Sequence, residues 1–357
     1  MTDSAPPLGN DPVSLESLLA GPDPILALAP MQDVTDLPFW GLVQSYGGAD
    51  LYYTEYFRVH GDSRLEKWIL ESITHNPTRR PVIAQMIGND IPSLVRTAKE
   101  LQNHPIAAID LNLGCPAPVV YRKCAGGGLL RDLPRIDAIL GALRDAVQIK
   151  FTVKTRIGFD DPTIFEALLA IFARHSLDLL TVHGRTVAER YRSGVHYAFI
   201  ARAVEQLPFP VLANGNVCSA TKAAEVLNLT RARGVMIGRA AIRNPWIFTQ
   251  IRQQQSGQQI FQPTGHDVLV YIRALYETTS GEIRQELQRV QKMKKYLNFL
   301  ALGVEPTGRF LHDIRRAITE ADFFQICSDH LAHGSLMPLE PFSITMPDHD
   351  MLAGEHG

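Results

Sequence analysis

Eight short apolar runs recur between residues 25 and 250, with amphipathic stretches between them: ILALAP (25–30), DLYYTEY (50–56), PVIAQMIG (81–88), AAIDLNL (107–113), KFTVKTRIG (150–158), LDLLTVHG (177–184), FPVLANG (209–215) and RGVMIG (233–238). Most are nearly continuous, as a parallel sheet covered on both faces requires. Helical periodicity fills the gaps at 93–102, 135–146, 163–175 and 219–227. Repeated βα units in this number predict a TIM (β/α)8 barrel, with a doubly wound open sheet as the main alternative. No GxGxxG follows the first run, which counts against the open sheet.

The polar residues keep a regular place. They stand at or just past the C-terminal end of each run: Met31 and Gln32, Glu55 and Arg58, Gln85, Asn112 and Cys115, Lys154 and Arg156, His183, Asn214, and Gly238 with Arg239. In a barrel those ends share the face where chemistry is found. One such residue alone is as readily a hydrogen-bonded plug of the barrel; a set from eight runs predicts a site.

The most informative loop runs from Ile106 to Asp132. An apolar strand interrupted only by Asp110 breaks at Gly114-Cys115-Pro116 and leads to the Gly126-Gly127-Gly128 run. An isolated cysteine is usually a small hydrophobe. Here the thiol lies where a strand ends, between a flexible residue and a rigid one.

Past residue 253 the pattern changes. Residues 254–265 read as a polar linker, and 266–333 as a small all-helical domain, with Val290, Met293, Leu297 and Leu300 on one helical face. Residues 284–316 carry eight basic side chains against three acidic ones, a local +5 in a chain whose net charge is −2. Most charge runs are solvated faces; a basic domain appended to a barrel favours a phosphate-backbone partner. The barrel is expected to span 25–253, with a flexible leader at 1–24 and a poorly ordered tail at 334–357. Four scattered cysteines offer neither a disulfide framework nor zinc-ligand spacing, so no metal and a reducing, cytoplasmic setting are expected. No apolar run is long enough for a membrane helix, and nothing calls for a protein partner, so a monomer is expected.

Seven segments, in this order, resemble the signatures of the tRNA-dihydrouridine synthases: LAPM (28–31), VIAQMIG (82–88), NLGCP (112–116), VKTRIG (153–158), HGRT (183–186), ANGN (213–216) and IGRAA (237–241). The resemblance covers residues 25 to 245, and the basic helical domain is similar to that family's RNA-binding domain. It implies bound FMN, NADPH as transient reductant and tRNA as substrate. It further implies flavin contacts from Pro30, Met31, Gln32, Gln85, Lys154, His183, Asn214, Gly215, Asn216, Gly238 and Arg239. Uridine or RNA contacts follow for Arg58, Asn112 and Arg156, and Cys115 becomes the general acid that protonates uracil C5 while hydride reaches C6. From their charge, Arg289, Lys292, Lys294 and Lys295 are expected on the RNA backbone.

The chain departs from the family pattern at Pro118 and Val119, where many members carry a lysine, at Asn216, where an acid is common, and at Tyr197, where tryptophan is frequent. Tyr191 and Gly194 fit. YTEYFRVH (53–60) resembles the branch acting near D-loop position 16, and VYRKCAGG (120–127) another branch. Two competing readings are a small-molecule flavoenzyme of dihydroorotate dehydrogenase type and an RNA-binding protein whose barrel has lost activity. The basic appendage has no use in the first.

Overall fold

In the computed structural model, which describes residues 13–281 and 283–342, nine strands carry the fold. They are Ile25–Leu28 (β1), Leu51–Tyr53 (β2), Phe57–Arg58 (β3), Val82–Ile87 (β4), Ala108–Leu113 (β5), Lys150–Arg156 (β6), Leu179–His183 (β7), Val211–Asn214 (β8) and Gly234–Ile237 (β9). Every pairing is parallel. β1 pairs with both β2 and β9, and β2 with β4, so the sheet closes. β3 continues β2 along the same neighbour: Tyr53 faces Ile83 and Phe57 faces Met86. The two are one barrel strand interrupted at Thr54–Tyr56, so the run expected at 50–56 pairs only to Tyr53 and resumes past its expected end at Phe57, and the barrel is eight-stranded. The interruption has a local cause, because the Thr54 hydroxyl takes the backbone N–H of Gln85 (3.0 Å).

The expected helices are present as Ile91–Leu101, Leu133–Ala146, Phe165–Arg174 and Ala220–Thr230. Asp90 and Asp132 cap the first two through side-chain bonds to Ser93 and Arg135 N–H groups, each with a proline in the first turn. Among the described residues, no helix is long and apolar enough to cross a membrane.

The leader is not loose where it is described. Residues Leu15–Ala20 form a helix opened by a reciprocal Ser14–Ser17 capping box. Leu15 is buried in one cluster with Ile25, Leu51, Ile83, Ala108, Leu179 and Leu212, near the N-terminal ends of the strands. Arg233 fastens this segment by donating to the carbonyls of Leu18, Leu19, Gly21 and Asp23. Residues 1–12 of the expected leader lie outside the described residues.

The chain divides into two compact units, and not at the expected linker. The barrel unit comprises residues up to 37, 49–217 and 223–237; the other comprises 38–48, 218–222 and everything from 238. The second unit is built on the helices Gly265–Ser280, Glu286–Leu300, Arg309–Ile314 and Glu320–Leu331. Val290, Met293, Leu297 and Leu300 are buried in it, as their spacing predicts. It also recruits an early segment: Phe39, in the helix Leu37–Ser45, stacks on Tyr296 at 6.0 Å. The linker folds back on the helix Ile247–Gln255, with Gln250 bonded to the Phe261 carbonyl (2.9 Å) and Trp246 against Phe261 (5.6 Å). The described part of the tail is tied down too, Met337 N–H to Pro263 and Phe342 N–H to Leu302, both at 2.7 Å. Residues 343–357 lie outside the described residues.

Candidate active site

The register places Gln85, Asp110 and Thr152 side by side on β4, β5 and β6, and one step further on it pairs Asn112 with Lys154. The first row is a buried hydrogen-bond chain. Asp110 accepts from Thr152 Oγ1 (2.6 Å) and from Gln85 Nε2 (2.8 Å). Gln85 Oε1 in turn accepts from Asn112 Nδ2 (2.8 Å). Burial pushes the Asp110 carboxyl up to about 6, against the downward pull of its two hydrogen bonds and of Lys154.

Asn112 passes this order to the cysteine loop. Its Oδ1 accepts the N–H groups of both Gly114 and Cys115, each at 2.9 Å. From the next strand, Arg156 Nε donates to the Gly114 carbonyl (3.0 Å), and its Nη1 to the carbonyls of Thr186 and Arg190. Gly127 N–H closes the loop onto the Cys115 carbonyl (3.2 Å). The glycine run is a steric necessity: Gly126 sits at φ +53°, and a Cβ there would lie 2.8 Å from Ile87 Cδ1 and 3.0 Å from Cys115 Cβ. Cys115 is half-buried and Cys124 exposed. Between them, Pro118–Tyr121 forms one helical turn with Val119 exposed at the position where a lysine is common.

Lys154 donates to Asn214 Oδ1 (3.2 Å), while Asn214 Nδ2 is anchored on the Met236 carbonyl (2.8 Å). Burial first, and the nearby Arg156 charge second, lower the Lys154 ammonium to about 8. His183 ends β7, its ring 6.4 Å from Tyr191. Gly215 has φ +121°, and a Cβ there would press on Val195 at 3.1 Å. Tyr197, the tryptophan substitute, donates its hydroxyl to the Gly215 carbonyl (2.8 Å). Asn216 accepts from Arg185 Nη1 at 3.4 Å, so a neutral amide serves where an acid is common.

At the β1 end, the Met31 N–H donates to Thr35 Oγ1 (2.8 Å) after Pro30, and Gln32 Nε2 donates to Glu55 Oε2 (3.2 Å). Gln32 Oε1 and Glu55 Oε1 are buried with no protein partner. Burial, with Asp33 and Asp36 adding to it, raises the Glu55 carboxyl to about 7. Arg58 is exposed, 5.7 Å above the Tyr56 ring.

The barrel unit therefore brings together Pro30, Met31, Gln32, Arg58, Gln85, Asn112, Cys115, Lys154, Arg156, His183 and Asn214–Asn216 at the C-terminal ends of its strands. Two placements differ from expectation. Arg156 is buried and occupied with backbone carbonyls, so its place is to hold the cysteine loop. Gln85 is buried with both ends of its amide engaged. Gly238 and Arg239 follow β9 directly and open the helix Arg239–Arg243 of the other unit. In that unit, Arg289 pairs with Glu320 (3.4 Å) and lies 4.5 Å over Tyr276, and Lys294 donates to the Arg315 carbonyl (2.8 Å). Lys292 and Lys295 are half-buried on the same helix. Asp110, Thr152 and Tyr56 are residues of this end that the sequence reading did not single out, and Glu55, which it placed at a strand end, was given no contact there. A cavity of ≈ 720 Å³ lies at the other end of the barrel, between the Leu15–Ala20 helix and the starts of the strands. Its Lys150 and Arg144 are paired with Asp178, and none of the groups above line it.

An eight-stranded parallel barrel with a cysteine on a fastened loop, a buried lysine and a histidine at its C-terminal end belongs to the ligand-binding, catalytic TIM barrels. The particular family follows from comparison: the family model described as dihydrouridine synthase (Dus) matches residues 27–329. This chain belongs to the dihydrouridine synthase family. It is similar to a probable tRNA-dihydrouridine synthase of Helicobacter pylori, 38% identical over 231 residues that cover 64% of this chain and 70% of that protein. The tRNA-dihydrouridine synthase B of Xanthomonas axonopodis pv. citri is 33% identical over 305 residues, 83% of this chain and 89% of that one. The tRNA-dihydrouridine(16) synthase of Neisseria meningitidis serogroup A is 29% identical over 305 residues, 83% and 91%. These matches do not favour the small-molecule, dihydroorotate-type alternative.

Proposed function

We propose that this chain reduces uridines in tRNA to 5,6-dihydrouridine, with FMN bound at the barrel mouth and NADPH as the passing reductant. The observation that carries the reading is a cysteine at the end of β5 whose backbone is held at both its N–H, by Asn112, and its carbonyl, by Gly127, with Arg156 on the carbonyl of the preceding Gly114. Family membership and the names of the relatives support the substrate.

The residues suit a flavin. Gln32 Oε1 and Glu55 Oε1 are buried polar atoms without a protein partner, a position a ligand's donors would fill. Lys154 offers a buried cation to the electron-rich pyrimidine end of the ring, aimed by Asn214. His183 reaches the ring or ribityl chain, and Gly215 leaves room where a side chain would intrude. Gln85, fully buried between Asp110 and Asn112, orients Asn112 from inside the barrel. Pro30 and Met31 would line the floor of the flavin site, Asn216 joins the Gly215 turn, and Gly238 and Arg239 would keep the phosphate role that the family resemblance gives them.

When bound and reduced, FMN supplies a hydride to uracil C6. Cys115 gives its proton to C5: the S–H bond breaks, the C5–H bond forms and the electron pair stays on sulfur. A free thiol titrates near ~8.5 and so holds its proton at neutral pH. Donation of this kind contributes about 10²–10⁴-fold in rate. The uracil must leave its stack to reach the site; Arg58, exposed at the mouth, receives the RNA, and cations of the helical unit hold its backbone.

The test is to incubate the protein with NADPH and an unmodified tRNA transcript, then map the modified position by mass spectrometry. A gain of two hydrogens at one D-loop uridine is expected. NADPH consumption that leaves every uridine unreduced would overturn the reading.

A further inference from the structure

The loop between β7 and the helix Tyr197–Gln206 seats Arg156. Its Thr186 and Arg190 carbonyls accept from Arg156 Nη1 at 2.8 and 2.9 Å, and the guanidinium carbon lies 5.5 Å from the centre of the Tyr191 ring. Val187, in the same turn, packs on the glycine run: a Cβ on Gly127 would lie 2.6 Å from Val187 Cγ2. The turn itself is held by Glu189. Glu189 Oε2 accepts the Thr186 N–H (2.6 Å) and Thr186 Oγ1 accepts the Glu189 N–H (3.3 Å), the reciprocal pair of a capping box. Glu189 Oε1 lies 2.7 Å from His196 Nε2, and the His196 N–H donates to the Gly184 carbonyl at 2.7 Å. One carboxylate thus ties the first turn of the loop to its last residue. Arg190, next in the chain, has φ +51°, a left-handed conformation that a non-glycine residue keeps only where its neighbours fix it.

We propose that Glu189 is a positioning residue for uridine reduction: its carboxylate fixes the Thr186 and Arg190 carbonyls that seat Arg156, and Arg156 in turn fixes the loop of Cys115. The inference rests on the assignment of Cys115 as the acid. The path is short. Arg156 Nε donates to the Gly114 carbonyl (3.0 Å), next to the cysteine. Gly127, against Val187, donates its N–H to the Cys115 carbonyl (3.2 Å). A charged acceptor holds an N–H more strongly than a neutral one, and a buried guanidinium deprived of its carbonyls must find other acceptors. Without the carboxylate the turn can open, Arg156 re-pairs, and the Gly114–Cys115 backbone shifts relative to the bound uracil. The Glu189–His196 pair is itself partly exposed, 24% and 45% at the two side chains, so the contact adds little to global stability. Its loss should be felt in the reaction rate and not in folding. Glu189 acts on the reaction through Arg156 and Val187, and so it positions without taking part in the chemistry.

The experiment follows reoxidation of the NADPH-reduced flavin by an unmodified tRNA transcript across a series of tRNA concentrations. The flavin-loaded parent, Glu189→Ala and Glu189→Gln each give a limiting rate and a half-saturating concentration. Glu189→Ala should lower the limiting rate by about tenfold, because the proton donor is misplaced once the uridine is bound. Its half-saturating concentration should stay parental, since a carboxylate makes no phosphate contact. Glu189→Gln keeps an acceptor for the Thr186 N–H and offers an N–H to the imidazole, so it should restore most of the rate. A parent-like limiting rate in Glu189→Ala, a loss confined to half-saturation, or no recovery in Glu189→Gln overturns the inference. Should Glu189→Ala not retain flavin, His196→Ala decides in its place, because it cuts the outer tie alone at an exposed ring. A reduced limiting rate there upholds the inference, and a parent-like one overturns it. Parental reoxidation in Cys115→Ala is the separate result that overturns the acid assignment.

Discussion

The side-chain oxygen of Asn112 accepts the backbone N–H of Cys115 at 2.9 Å. It is the last bond of a chain that starts inside the barrel at Thr152 and runs through Asp110 and Gln85. The backbone that carries the thiol is therefore positioned by the strand interior and not only by its own loop. Asn112→Ala removes two backbone partners and leaves Gln85 Oε1 without its donor. A loss of about 1–3 kcal/mol in urea unfolding is expected. Slower tRNA-dependent reoxidation of the flavin should accompany it, by about ten- to a hundredfold. Parent-like reoxidation would mean that the loop holds the cysteine unaided.

Two buried carboxyls give stability a pH dependence of definite sign. Glu55 is raised to about 7 and Asp110 to about 6, each chiefly by burial. In the unfolded chain both ionise in the ordinary carboxylate range, so between there and their folded values the native state binds more protons. Stability from these groups is full at the acid end and is lost as pH rises through about 6 and then about 7. Urea midpoints of the apoprotein should accordingly fall between pH 5 and pH 7.5. Glu55→Gln should flatten the upper part of that decline; an unchanged slope would place the proton elsewhere.

Much of this arrangement is legible in the sequence, and the missing parts have physical reasons. The eight apolar runs mark the strands because parallel strands are buried on both faces. Polar residues at their C-terminal ends mark the mouth. Asp110 reads only as a flaw in an apolar run, since its value depends on cross-strand neighbours Gln85 and Thr152, which register alone supplies. The helix Leu15–Ala20 had a local signal, serines three apart before a leucine-rich turn, masked by the surrounding proline and aspartate. The membership of residues 38–48 in the second unit left no local trace. It depends on pairings such as Phe39 with Tyr296, far apart in the chain. Charge counting cannot separate Arg289 and Lys294, engaged within their own unit, from their neighbours.

That separation yields a further prediction for the helix Glu286–Leu300. Arg289→Ala should cost about 1 kcal/mol of stability, because both the Glu320 ion pair and the packing over the Tyr276 ring disappear. Neutralising Lys295 should instead flatten the salt dependence of tRNA binding, by about 0.7–0.9 in log–log slope for the phosphate no longer neutralised. Filter binding across a salt series measures the slope. An unchanged slope would make this face merely solvated.

The most direct measurement separates two half-reactions in Cys115→Ala: flavin reduction by NADPH, and reoxidation of the reduced flavin by tRNA. A proton donor for C5 is needed only in the second. The variant should retain its yellow colour and bleach with NADPH at a near-normal rate, while reoxidation by tRNA slows by about two or more decades. Cys124→Ala, altering the exposed cysteine of the same loop, should reoxidise almost normally. Uridine reduction at parental speed in Cys115→Ala, or the large loss appearing in Cys124→Ala instead, would contradict the assignment of Cys115 as the acid.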